Sequence, residues 1–149
     1  MAVGAWSFYT HTRKNLGNGK INLSGGKFRM ALFLSSSNVA TTTISGYGSL
    51  TNQVANGNGY VTSGQAMTTT WLSGASAAAW RFNYSPALVW TGTGGTISGI
   101  KFAVIFTSGA SAGARKLVCF SQLSTGRFSI TINNTLTITP AATGVFNLT

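Results

Sequence analysis

The sequence predicts an all-β protein: an antiparallel β-sandwich, jelly-roll-like, with an extended N-terminal arm. Three observations carry this prediction. Gly, Ser, Thr and Asn interrupt the chain every few positions, 19 of its 149 residues being Gly, and no long stretch keeps a 3.6-residue period. Apolar and polar residues alternate over many short runs. No crossover helix stands between the runs, which disfavours a parallel α/β sheet.

Taken in order, residues 1–26 read as an arm or lead-in hairpin, with Trp6, Phe8 and Tyr9 ahead of His11, Arg13, Lys14 and Lys20. An ordinary first strand fits the same residues. Residues 27–149 read as the sandwich domain. From Lys27 to Leu34, Phe28, Met30, Leu32 and Leu34 share one face while Arg29, Ala31 and Phe33 share the other. Val39 to Asn58 is the poorest in core residues and reads as a long loop or arm. Gly59 to Ser63, Ala66 to Trp71 and Ala87 to Trp90 are further strand candidates, as is Val145 to Leu148. Trp80, Phe82 and Tyr84 alternate with Arg81 and Asn83. Ile100 to Phe106 and Leu117 to Phe120 are nearly continuous apolar runs, as in central strands covered on both faces. Phe128, Ile130 and Ile132 alternate within Arg127 to Ile132, and Leu136 with Ile138 extends the pattern. Asn18-Gly19, Asn56-Gly57 and Asn58-Gly59 read as hairpin turns, because Asn and Gly adopt positive φ with little strain.

Charge narrows the function. The chain has ten Lys and Arg and no Asp or Glu, a formal net charge of +10. Without carboxylate side chains it has no material for a paired-carboxylate glycosidase site, a Ser-His-Asp triad or a carboxylate cage for calcium. His11 is the single histidine, with no carboxylate or second histidine to orient it, so no enzyme is expected. Cys119 is the single cysteine, which excludes an intrachain disulfide and a zinc cluster; between Val118 and Phe120 it reads as a small buried hydrophobe. No cofactor or metal is expected. The Gly-rich stretches at Ser24 to Lys27 and Thr91 to Gly95 lack the Gly-Lys-Ser/Thr ending of a phosphate loop.

An excess of one sign favours an acidic partner, whether protein, nucleic acid or membrane. Direct nucleic-acid binding is disfavoured, because the cations are spread along the sequence and only Arg13-Lys14 and Arg115-Lys116 are adjacent pairs. No 18-residue apolar run exists and the start lacks the regions of a signal peptide, so neither a membrane span nor secretion is expected. Trp71 and Trp90, beside Thr- and Gly-rich loops, are candidate glycan platforms, although core aromatics explain them equally. Charged residues are only 7% of the chain, which suits a subunit of an assembly, with a homo-oligomer expected.

Several segments carry a resemblance. Asn18-Gly19-Lys20-Ile21-Asn22-Leu23-Ser24 leads into Phe28 to Ser36; Gly59-Tyr60-Val61-Thr62-Ser63-Gly64 follows; then come Lys101 to Phe106, Leu117-Val118 and Gly126 to Asn133. In this order they resemble small structural proteins of tailed bacteriophages, with Asn22 where that pattern has Asp and Ser63 where it has Gly. The resemblance implies a virion protein that stabilises the major capsid shell as a cement or decoration protein, or alternatively a neck, tail or receptor-binding fibre subunit. It implies the phage head exterior as the location, host cytoplasm during assembly, and no catalytic residues. The candidate partner-binding residues are Trp6, Phe8, Tyr9, Arg13, Lys14, Lys20, Arg115 and Lys116, facing the major capsid protein or another virion protein with an acidic surface.

Overall fold

The computed structural model describes residues 4–74 and 78–149. The first three residues of the expected arm lie outside this range. The fold is an antiparallel β-sandwich. Its larger sheet has six strands: β1 (Ser7–Phe8), β2 (Phe28–Leu34), β3 (Gln65–Met67), β7 (Ile97–Thr107), β8 (Leu117–Gln122) and β9 (Phe128–Ile130). They run in the order β1-β8-β7-β2-β3, with β9 pairing the first part of β7. Opposite lie a three-stranded sheet, β4 (Thr69–Ser73), β5 (Trp80–Tyr84) and β11 (Phe146–Leu148), and a two-stranded sheet, β6 (Leu88–Thr91) with β10 (Thr135–Ile138). This division departs from the paired four-stranded sheets of a jelly roll.

The main core lies between these layers. Phe28, Met30 and Leu32 of β2 and Ile105 and Cys119 of β7 and β8 meet Phe82, Tyr84, Trp90, Leu136 and Ile138 of the smaller sheets. Phe82 sits at its centre, with ring centroids 5.0 Å from both Phe28 and Phe146.

The other face of the large sheet is apolar too, so it needs a cover. Ala31, Phe33, Phe102, Val104 and Phe106 pack under Val39 and Tyr47 of the long connection between β2 and β3. That connection is a loop, as expected from its composition, but it is pinned. A single 3-10 turn at Tyr47–Ser49 sets the Tyr47 ring 4.1 Å from Phe106. Away from any ladder, backbone groups still need partners, and short polar side chains supply them: Ser37 Oγ donates to Thr51 O, Asn38 Nδ2 to Ser49 O and Asn52 Nδ2 to Ser36 O.

The N-terminal segment is not an extended arm. Ser7 and Phe8 pair with Phe120 and Cys119, and Thr10–Gly17 forms a helix, α1. This helix has no side-chain cap and little apolar periodicity, and eight residues form a marginal helix in isolation. Tertiary bonds hold it: Thr12, fully buried, donates through Oγ1 to the carbonyls of Leu117 and Val118. Thr12→Val keeps the side chain's shape and removes this link. It is expected to lower the unfolding free energy by about 1–2 kcal/mol in urea titration and to speed amide exchange in α1 ahead of the sheet.

One expected turn and one expected strand also differ. Asn18-Gly19 ends α1 instead of making a hairpin: Gly19 has φ 66° and donates to Leu16 O. Gly59 to Ser63 is not a strand. Asn58 (φ 53°) and Gly59 (φ 89°) form a two-residue turn closed by mutual Gly57 and Tyr60 backbone bonds, and Tyr60 then sends its hydroxyl inward to accept from Leu32 N.

Candidate interaction surface

The expected partner-binding residues divide by polarity. Tyr9 is 1% exposed, its ring 5.2 Å from Phe120, and is therefore removed from any surface role. Phe8 is half-buried, edge-on to Phe146 at 4.6 Å, and Trp6 packs against the main core. Trp90, one of the two glycan candidates, is 1% exposed and belongs to that core as well. The reason is alternation: Leu88 and Trp90 share the inward face of β6 while Val89 points out. Cys119 is fully buried, and burial pushes its thiol well up from its ordinary value. His11 lies on α1 with Nδ1 buried and no hydrogen-bond partner.

The fold brings five of the ten cations toward one end. β2 begins, β7 ends and β8 begins at one end of the large sheet. Ser108 N donates to Lys27 O and Thr107 N to Lys116 O, each at 2.8 Å, which sets Lys27 and Lys116 on the two sides of β7. The Thr12 bond to Leu117 O brings α1, with Arg13 and Lys14, to the same place. Residues 13, 14, 27, 115 and 116, far apart in sequence, thus meet at one end. Arg13, Lys14 and Lys27 are exposed there.

Arg115 has a structural task within this cluster. Its guanidinium lies 5.3 Å from the Tyr47 ring centroid and 5.7 Å from that of Phe106, and Nε donates to Gly109 O. It clamps the long loop onto the sheet through cation–π contact. Burial raises the Tyr47 hydroxyl above its ordinary value, with the Arg115 charge opposing that rise. Lys116 Nζ donates to Gly113 O. Elsewhere, Arg29 is bound to Ser63 and Gly64, Lys101 lies over Phe102, and Arg81 donates to Ala142 O. Every partner named here is a carbonyl, a hydroxyl or a ring. None neutralises charge, because the chain has no carboxylate side chain.

Lys27 was missing from the expected set because nothing local distinguishes it; only the Ser108 bond places it across β7 from Lys116, at the same end of the sheet. Among the described residues, no group of three or more His, Cys, Asp or Glu is placed to hold a metal ion. Comparison with protein-family models, with curated proteins and with solved structures gives no match for this chain.

Proposed function

We propose that this chain is a virion structural protein, a cement or decoration protein that seats its cationic end on an acidic surface of a major capsid shell. One observation carries the proposal: ten cations and no carboxylate side chains mean that charge neutralisation has to come from another molecule. The resemblance of its strand order to small phage structural proteins supports the class of assembly. The gathering of residues 13, 14, 27, 115 and 116 supports docking by one end. Complementary charge speeds encounter and fixes orientation, while buried apolar area supplies most of the holding energy. Binding to the assembled shell and not to its separated subunits then stabilises the shell by mass action. Copies of the chain repel one another through their cationic ends, so they share a particle through the acidic shell or through uncharged faces.

The same gathering favours a second reading, nucleic-acid binding, more than the linear sequence does. Single-strand binders also present rings on which bases stack. At the cationic end the Tyr47 and Phe106 rings are both buried, with Arg115 over them. That leaves phosphate contact alone.

Quantitative mass spectrometry of purified virions of the encoding virus tests the proposal. The expected result is a copy number commensurate with the major capsid protein. A few copies per particle would assign the chain to neck, tail or fibre, and its absence from virions would end the proposal. A DNA affinity falling steeply with salt, with no affinity for capsids, would favour the second reading.

A further inference from the structure

A groove of about 460 Å³ opens where the connection from α1 to β2 passes the three-stranded sheet. Leu16, Ile21, Leu23, Trp71 and Leu148 line it, and none of its lining side chains is ionisable. Trp71 stacks on Trp80, with centroids 5.8 Å apart and planes inclined by 20°. Trp80 is 46% exposed although it opens a strand whose next inward residues, Phe82 and Tyr84, are buried. Six large apolar side chains are exposed among the described residues, and two of them, Trp80 and Leu148, share one face of this small sheet, while Leu72 lies on its other face beside Arg81. Apolar exposure gathered in this way marks an interaction surface, whereas single exposed residues do not. The register puts Trp80 opposite both Ser73 and Leu148, so Trp80 and Leu148 extend the face that carries Trp71.

One cation borders the groove. Lys20 lies between Gly19 and Ile21, both of which line the groove. It is exposed.

We infer that this groove seats a partner segment that presents an apolar side chain flanked by carboxylates, as an acidic loop of a shell protein does. The inference rests on the proposed reading that the partner's surface is acidic. The apolar side chain enters between Leu16, Ile21 and Trp71, and a flanking carboxylate meets Lys20. Charge decides against two other occupants. A second copy of the chain brings no carboxylate side chain and sets +10 against +10. A neutral glycan stacks on tryptophan but leaves Lys20 without a counterion.

The test uses the full chain with 15N-labelled indoles and an acetylated Glu-Glu-Phe-Leu-Glu-Glu peptide, against its Gln-Gln-Phe-Leu-Gln-Gln counterpart and maltoheptaose. The acidic peptide is expected to shift the Trp71 and Trp80 indole signals, to leave that of buried Trp90 in place, and to bind at least tenfold more tightly than the Gln peptide. Lys20→Ser should weaken it about threefold and flatten its salt dependence. Trp80→Ser, at the exposed end of the stack, should weaken both peptides alike, with an unchanged Trp90 signal reporting an intact fold. Equal binding of the two peptides, no indole shift at millimolar acidic peptide, maltoheptaose shifting the same signals, or self-association through Trp80 would each overturn the inference. The two levels separate cleanly. Full virion occupancy by the Lys20→Ser, Trp80→Ser double variant sinks the groove and spares the proposed function, whereas specific acidic-peptide binding by a chain absent from virions does the reverse.

Discussion

Between pH 7 and pH 2 the unfolding free energy of this protein is expected to stay nearly constant, and above pH 10 it is expected to fall steeply. Acid denaturation is driven mostly by carboxylates that are paired or hydrogen-bonded in the native state and become protonated. This chain has no carboxylate side chain, so acid neutralises no side-chain anion, and the net charge is already +10 at neutral pH. The self-repulsion that acid usually builds up is therefore present at neutral pH and hardly grows. The alkaline limb has a different source. All four tyrosines, Tyr9, Tyr47, Tyr60 and Tyr84, have hydroxyls raised above their ordinary value, in each case chiefly by burial. Tyr60 is pushed up to about 12. A buried phenol holds its proton in the folded state at a pH where the unfolded chain has released it. The associated stability is thus fully present below pH 10, the unfolded value, and is lost as pH rises through the folded one. From Tyr60 alone this amounts to roughly 2–3 kcal/mol by pH 12, and Tyr9 and Tyr84 add to it with the same sign. Against a typical domain stability of about 5–15 kcal/mol, that sum is enough to unfold the protein. Urea titrations from pH 2 to 12 with fluorescence detection check both limbs. An acid transition near pH 4, or a flat alkaline limb, would refute the account. Tyr60→Phe should shift the alkaline limb to higher pH, although it costs the hydroxyl's bond from Leu32 N.

How much of this was legible in the sequence follows from how local each cause is. The strands β2, β7 and β8 stand out because their two faces are both buried, so apolar residues run almost without a break. Helix α1 escaped notice because its stability is not local: Thr-His-Thr-Arg-Lys-Asn-Leu-Gly has one apolar side chain, and what fixes it is the hydroxyl of Thr12 on a strand more than a hundred residues away. Tyr9 looked like a surface anchor because it stands with Trp6 and Phe8 just ahead of a basic stretch, yet β1 pairing turns it under the loop that covers the second face. Trp80 shares the alternation of buried Phe82 and Tyr84, yet at the first position of its strand it is exposed. The cations seemed scattered because adjacency along the chain was the only measure of clustering. Antiparallel pairing brings the start of β2, the end of β7 and the start of β8 together, and that is a property of register.

Replacing Lys14 and Lys27 together with Ser is expected to weaken binding to an acidic surface about tenfold at low salt, while replacing Lys101 and Arg127 together changes it about twofold or less. Both variants lower the formal charge by two, from +10 to +8, so a difference between them cannot come from net charge. What differs is place. Lys101 is six residues before the end of β7, roughly 20 Å along the strand at about 3.3 Å per residue. Arg127 precedes Phe128, which pairs with Ile100 on the same far part of β7. That distance exceeds the roughly 8 Å screening length at physiological ionic strength, so charges at one end contribute little to a partner docked at the other. Each exposed cation facing a carboxylate contributes about 0.2–1 kcal/mol, and two such losses make the expected factor. Poly-L-glutamate immobilised on a sensor surface is a sufficient probe, read at 20 and 150 mM salt. For the wild type and the Lys101, Arg127 variant, affinity should fall with salt by similar factors. For the Lys14, Lys27 variant the fall should be shallower, because fewer counterions change places on binding. Equal weakening of the two variants would show that the chain is held by its overall charge and that the cationic end has no special part in docking.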